Sequence, residues 1–432
     1  MKQNGIDQNK KALLNFFETL KSEIEVDKNV LSLRPKLIVD LNCNFSGDFD
    51  FVIREKHFPA TFEVIYNLCK ELGVNFILNQ QAQNKKLFKF FIRESDNVFL
   101  MLEFWTVVEV TAKDGTLNSF DANTIINTIK NKTLTANEVF SLLFITHLFH
   151  KNKNIKTDEN TFRFDSFFDD IQNEDASSKD GKTFSLLSRL KNDKILLKDA
   201  NREAIDILAI AGFRNSRKFS DKLSYFNLRV RNKILNLKKI VPIIGPDGVG
   251  KGAVSEAALS SLDKWAPFPF KMLYRIKAIY RLRLNLLNNL NDKPMNQSDE
   301  EIGYFIYLMA WIMIRVVKVF KPKKNILLDR YFLDYLGTPI RYLKENQVPK
   351  KLNNYNLLLW LMPVPNTIIF LGCKSESLIL RKNELPIVSV DFLQHLYCDF
   401  IIKKRPPVTL FVSTENNVDI SGQAVQSILN KI

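Results

Sequence analysis

One stretch, Ile240 to Ala258, constrains the fold more than any other: the apolar run IVPII leads into GPDGVGKG and then into AVSEAA. A short apolar run bounded by a turn signal reads as a strand buried on both faces. The segment after the glycines has helix-forming composition. Between them, Gly245, Gly248, Gly250 and Lys251 fit the spacing G-x-x-x-x-G-K, in the strand-turn-helix context that this spacing requires. Glycines let successive backbone N–H groups curl toward one anion, and the helix amino end adds its dipole. The stretch therefore predicts a phosphate loop formed by Gly245, Asp247, Gly248, Val249, Gly250, Lys251 and Gly252, with Lys251 bridging the distal phosphates.

The position after the lysine ordinarily supplies a hydroxyl to Mg²⁺. Here it is Gly252, followed by Ala253; the nearest hydroxyl is Ser255, a turn further along the helix and expected to point away. Mg²⁺ keeps several waters and leans on substrate phosphates, so losing one oxygen weakens such a site without abolishing it.

Downstream, NILLDR, TIIFLGC and VTLFV alternate with helical segments, and a terminal helix runs through Ile428. That alternation predicts an α/β fold with a parallel sheet and helices on both faces. The chain of 432 residues exceeds the roughly 250 to 300 at which single cores stop growing. The reading divides it into an α+β domain over 1–134, a helical subdomain and linker over 135–238, and the phosphate-loop domain over 239–432. In the first part, a helix around Lys11 to Ile24 and strands in PKLIVDLN, FDFVI and NVFLMLEFW are expected. Thr135, with Glu138 three residues on, marks a capping-box helix start. The polar segment from Asp169 to Thr183 reads as a surface loop.

Composition narrows the class. Hydrophobic residues at 46% and charged residues at 25% are globular values, and a formal charge of +15 favours an anionic partner: nucleotide phosphates, a phosphorylated sugar, nucleic acid or an acidic membrane surface. The cysteines Cys43, Cys69, Cys373 and Cys398 stand apart without metal-ligand spacing, which predicts buried free thiols in a reducing compartment. No signal peptide is visible, so a cytoplasmic location, peripheral at most to the inner membrane face, is expected. The apolar run from Ile302 is broken by Arg315 and Lys318, short of the roughly 20 residues a span needs, and reads as a buried helix.

Taken together, IIGPDGVGKGA, NILLDRYFLDYLGTP, IIFLGCKSESLILRKNELP and VTLFVSTENN, in that order, resemble the thymidylate kinase-like branch of P-loop kinases over roughly Lys239 to Ile432. The likeness is to long, divergent members encoded with surface-polysaccharide enzymes, which carry an amino-terminal nucleotidyltransferase-like domain. Adenylate kinases, with a GKGT loop, also place glycine after the lysine. The resemblance implies ATP and Mg²⁺ as cofactors. It places Asp247 toward the acceptor, Asp329 near the metal, Arg330 on phosphate, and Arg381, with Lys382 and Glu384, in the lid. Val412 to Asn416 corresponds to the base-contacting loop. The basic helix KMLYRIKAIYRLRLNLL, Lys271 to Leu287, lies at the acceptor end; acceptor phosphate binding, an acidic membrane face and a solvated surface all stay open for it.

In FSGDFDFVI, Asp48 and Asp50 share one strand face, and Glu103 stands on another strand. The pattern resembles polymerase-beta-like nucleotidyltransferases, which implies a metal site at Asp48, Asp50 and Glu103. The turn Ser46-Gly47 abuts the pair instead of standing apart from it. The combined expectation is an ATP-dependent kinase acting on a nucleotide, sugar or glycan-linked acceptor. Two other readings remain: a weakened nucleotide-binding scaffold, and a nucleotidyltransferase-kinase acting on nucleic acid.

Overall fold

The structure is a computed structural model; the residues described are 2–32, 48–80, 84–96, 98–111, 117–131, 133–150, 165, 168–169, 171–172, 181–213, 240–268, 325–329, 331, 364–381 and 387–432. The expected strand PKLIVDLN, the run from Ile302 and the basic helix from Lys271 lie outside them.

The amino-terminal half opens with α1 (Lys2–Glu25) and β1 (Val30–Ser32), followed by β2 (Asp48–Ile53) and α2 (Phe58–Leu72). Helix α2 has proline in its first turn and ends at Gly73, φ 68°, a left-handed cap that glycine adopts without strain. Phe58, Phe62, Ile65, Tyr66 and Cys69 form its buried stripe. Strands β3 (Asn75–Asn79), β4 (Lys85–Phe91) and β5 (Leu100–Trp105) complete this part of the sheet. In β4, buried and half-buried positions alternate, the mark of a strand with one well-covered face.

A small antiparallel pair, β6 (Val107–Thr111) and β7 (Leu117–Asp121), leads into α3 (Ala122–Lys130), α4 (Ala136–His150), α5 (Lys182–Lys191) and α6 (Leu197–Ile210). The capping box is present. Thr135 N–H donates to Glu138 Oε2 at 2.8 Å, and Glu138 N–H donates to Thr135 Oγ1 at 3.2 Å. These helices enclose a second apolar cluster around Phe120, Ile125, Leu142, Leu187 and Leu208. Ile171 belongs to it, fully buried, and residues 169 and 171–172 are helical, as is Lys182 onward. The surface-loop reading of Asp169 to Thr183 is therefore corrected at both ends: Ile171 docks on the cluster, and Lys182 and Thr183 open α5.

The carboxy-terminal half runs β8 (Ile240–Ile244), α7 (Lys251–Leu259), β9 (Trp265–Phe268), β10 (Asn325–Asp329), β11 (Thr367–Gly372), α8 (Ser375–Arg381), α9 (Ile387–Lys404), β12 (Val408–Ser413) and α10 (Val418–Lys431). Its strands pair in parallel, in the order β12-β11-β8-β10-β9. Every residue of β8 and β11 is buried, so both faces are covered by helices, as expected. The fold is α/β.

The two halves share one sheet. Strand β3 pairs antiparallel with β12, Phe76 opposite Phe411, giving ten strands in the order β1-β2-β5-β4-β3-β12-β11-β8-β10-β9. One apolar cluster spans the seam, from Phe16 and Phe90 through Phe76 to Phe370 and Phe411. Tyr66 of α2 stacks on Phe370 of β11 at 5.2 Å. Polar contacts tighten the same junction. Asn75 Oδ1 accepts from Ser413 N–H at 2.9 Å, and Asn416 Nδ2 donates to the Gly73 carbonyl at 2.9 Å.

Candidate active site

The glycine loop joins β8 to α7 in the middle of the parallel strands, with β11 on one side and β10 on the other. Gly245 has φ 151°, and a Cβ there would lie 2.5 Å from the Leu371 carbonyl oxygen, so only glycine lets the loop start this close to β11. Gly248 (φ 87°) and Gly250 (φ 91°) supply the left-handed turns that curl the backbone. Gly250 is the N-cap of α7 and brings no side chain to the helix N–H groups. Val249 is fully buried beneath the loop.

Lys251 is 6% exposed and folds back over its own loop. Its Nζ donates to the carbonyl oxygens of Gly245 and, at 3.1 Å, Pro246, and lies 3.5 Å from Asp247 Oδ1. Asp247 is also buried, so this is a compact ion pair inside a turn. The ammonium is thus largely desolvated, with loop carbonyls and one carboxylate among its partners. Beyond it, Gly252 is exposed and a Cβ there would meet nothing within 4 Å. Ser255, four residues after Lys251, stands on the buried side of α7, and its hydroxyl has no hydrogen-bond partner among the described residues.

Asp329 ends β10 directly opposite Ile243 of β8, which puts its backbone beside the loop entrance. Arg330 lies outside the described residues, as do Lys382 and Glu384. Tyr331 is buried against Phe400. Arg381 ends α8, and its guanidinium donates to Thr414 Oγ1 at 3.2 Å and to the Thr414 carbonyl at 2.7 Å. In this state it ties down the segment after β12. Glu415 secures that segment from the other direction, accepting from Lys374 N–H at 2.8 Å and Ser377 Oγ at 3.0 Å. Val412 to Asn416 is thus held by α8, by β11 and, through Asn416, by the amino-terminal half.

In the amino-terminal half, β2 and β5 run parallel with Asp50 opposite Glu103, so these two acids stand side by side. Asp48 heads the same strand, facing Met101 in register. Asp50 Oδ1 accepts from Trp105 Nε1 at 3.1 Å. Buried Glu103 pairs with Lys85, whose ammonium lies 4.7 Å over the Trp105 ring. Among the described residues, no group of three or more His, Cys, Asp or Glu side chains is arranged to hold a metal ion.

Cys69, Cys373 and Cys398 are free and buried, and burial pushes the Cys69 and Cys398 thiols well above the ordinary range. Cys43 is outside the described residues. Among the described residues, no helix is long and apolar enough to cross a membrane. The residue that sequence reading missed is Tyr397 of α9. It is buried at 1% exposure, and its hydroxyl donates to the Gly245 carbonyl at 3.1 Å. An aromatic at helical spacing in FLQHLYCDF carries no signal that separates it from core.

No protein-family model matches the chain, and no curated protein matches it. Among solved structures, it is similar to deoxyadenosine kinase from M. mycoides with the products dCMP and a flexible dCDP bound, at 17% identity and a TM-score of 0.32, over 45% of this chain and 100% of that one. The same enzyme with bound dCTP aligns at 15% identity and a TM-score of 0.31, over 45% and 100%. With bound dATP the values are 16% and 0.31, over 44% and 98%.

Proposed function

We propose that the chain is an ATP-dependent phosphotransferase of the P-loop kinase type, with a nucleotide, nucleoside or saccharide acceptor. One observation carries this reading: Gly245, Gly248 and Gly250 curl the loop onto the uncapped amino end of α7, while Lys251 is stored on the loop's own carbonyls.

The residues fit a triphosphate. Backbone N–H groups from Gly248 to Gly252 and the α7 dipole bind phosphate oxygens, and Lys251 transfers from Gly245, Pro246 and Asp247 to the distal phosphates. That exchange frees the Asp247 carboxylate toward the acceptor. Asp329, at the end of β10, and Asp247 are the acids at hand for a Mg²⁺ that Gly252 and Ala253 do not serve. Bound Mg-ATP supplies the phosphoryl group and part of the charge neutralisation; the protein contributes positioning and electrostatics. Arg330 is assigned to phosphate, and Arg381 joins it on release from Thr414.

ATP turnover against nucleosides, nucleoside monophosphates, sugars and glycan-lipid extracts tests the proposal, with Lys251→Ala as control. Turnover with one acceptor class, abolished by Lys251→Ala, is the expected result. ATP binding without turnover on any acceptor would establish a nucleotide-binding scaffold instead, and no ATP binding would remove both readings.

A further inference from the structure

The Gly245 carbonyl is the first acceptor of the loop, and it is shared. Lys251 Nζ donates to it from inside the loop, and Tyr397 Oη donates to it at 3.1 Å from α9. A carbonyl oxygen has two lone pairs and accommodates both donors. Its place is fixed, because Gly245 is pressed against the Leu371 carbonyl, closer than any side chain would allow. The phenol is fixed as well: its ring packs 5.6 Å from Phe370, the residue before Leu371, and is almost fully buried. Strand β11 therefore aligns both the carbonyl and the hydroxyl that donates to it.

We infer that Tyr397 is a positioning residue for phosphate binding, acting by keeping the Gly245 carbonyl hydrogen-bonded when Lys251 leaves it for a nucleotide. The inference rests on the kinase reading and deepens it. In the ligand-free state the carbonyl has two donors, and losing the phenol leaves Lys251 in place. In the bound state Lys251 has moved, and without the phenol a buried acceptor loses both. An unmet buried acceptor is costly, whereas a second donor on an already satisfied one adds little. The contribution of Tyr397 thus falls on the binding step and not on the fold. The same hydroxyl lowers the barrier to Lys251 exchange, since the lysine is not the carbonyl's sole donor.

The test combines Tyr397→Phe, Lys251→Met and the double variant in the full chain, read by thermal melting without ligand and by ATP titration calorimetry. Tyr397→Phe is expected to leave the ligand-free melting temperature close to wild type while weakening ATP binding roughly tenfold. In the Lys251→Met background, the same substitution is expected to lower the melting temperature clearly, because the carbonyl then loses its second donor. Equal melting losses in both backgrounds, or unchanged ATP affinity, would overturn the inference and leave Tyr397 as core packing. If wild-type protein binds no ATP, the kinase reading fails by itself, and the melting cycle still decides whether Tyr397 and Lys251 share the carbonyl.

Discussion

Phe76 of β3 and Phe411 of β12 lie ring over ring across the seam that joins the two halves of the sheet, with centroids 5.0 Å apart and planes 21° from parallel. Each ring is fully buried, and Phe411 also meets Tyr66 and Phe370 edge-on.

Truncating Phe411 to alanine opens a cavity shared by both halves and should cost about 3 to 5 kcal/mol. Because one core crosses the seam, tryptophan fluorescence and far-UV circular dichroism should give coincident urea transitions in wild type and, at a lower midpoint, in the variant. Fluorescence and far-UV circular dichroism across a urea series check this; two separated transitions would show that the halves fold independently.

Gly245 and Gly252 are predicted to behave oppositely. Gly245→Ala drives a Cβ into the Leu371 carbonyl and should abolish ATP binding by displacing the loop. Gly252→Ser enters open space on a helix, gains about 0.5 kcal/mol of helix propensity, and restores a hydroxyl next to Lys251. Calorimetry of ATP with and without Mg²⁺ should show a larger metal dependence in Gly252→Ser than in wild type.

Lys86 is 3% exposed, its Nζ finds no hydrogen-bond partner among the described residues, and its pKa is lowered to about 8, chiefly by burial and then by nearby Arg405, with Glu55 opposing. A base whose folded pKa lies below its unfolded value of 10.5 destabilises the fold fully below about pH 8, and the penalty fades as pH rises toward 10.5. Lys86→Met should therefore stabilise the protein by about 3 kcal/mol at neutral pH, less whatever the contact with Phe58 at 4.7 Å contributes. The gap between variant and wild type should shrink from pH 8 upward. Chemical denaturation at pH 7, 8.5 and 10 measures it.

The Thr135–Glu138 capping box predicts losses of about 1 kcal/mol for Thr135→Val. Glu138→Ala should cost a similar amount, and the double variant less than the sum, because each side chain satisfies an N–H of the other residue. Urea midpoints of the three variants test the coupling.

The parallel half of this fold is legible residue by residue. IVPII, TIIFLGC and VTLFV are dominated by apolar residues because both faces of each strand are covered, and glycines at 245, 248 and 250 admit few other readings. That Asp48 and Asp50 share a strand face follows from the strand period, but that Glu103 stands directly beside Asp50 comes from the β2–β5 register. What the sequence hides is pairing. Nothing local in NFILN says that β3 pairs with β12, where Phe76 meets Phe411 and Asn79 meets Val408. Tyr397 and Thr414 are hidden for the same reason: their roles come from contacts between distant segments. The resemblance proposes Arg381 as a lid cation, whereas its engagement with Thr414 depends on how the segment after β12 is tied to α8.

The shared sheet sets a schedule for biosynthesis. Asn75 leaves the ribosome some 338 residues before Ser413, a delay of tens of seconds at ordinary elongation rates. Throughout that interval β3 offers a bare edge around Phe76, Ile77 and Leu78, and the arrival of β12 closes it. A nascent chain with this topology needs shielding, by a chaperone or by its own passing segments, at the very strand that later unites the molecule.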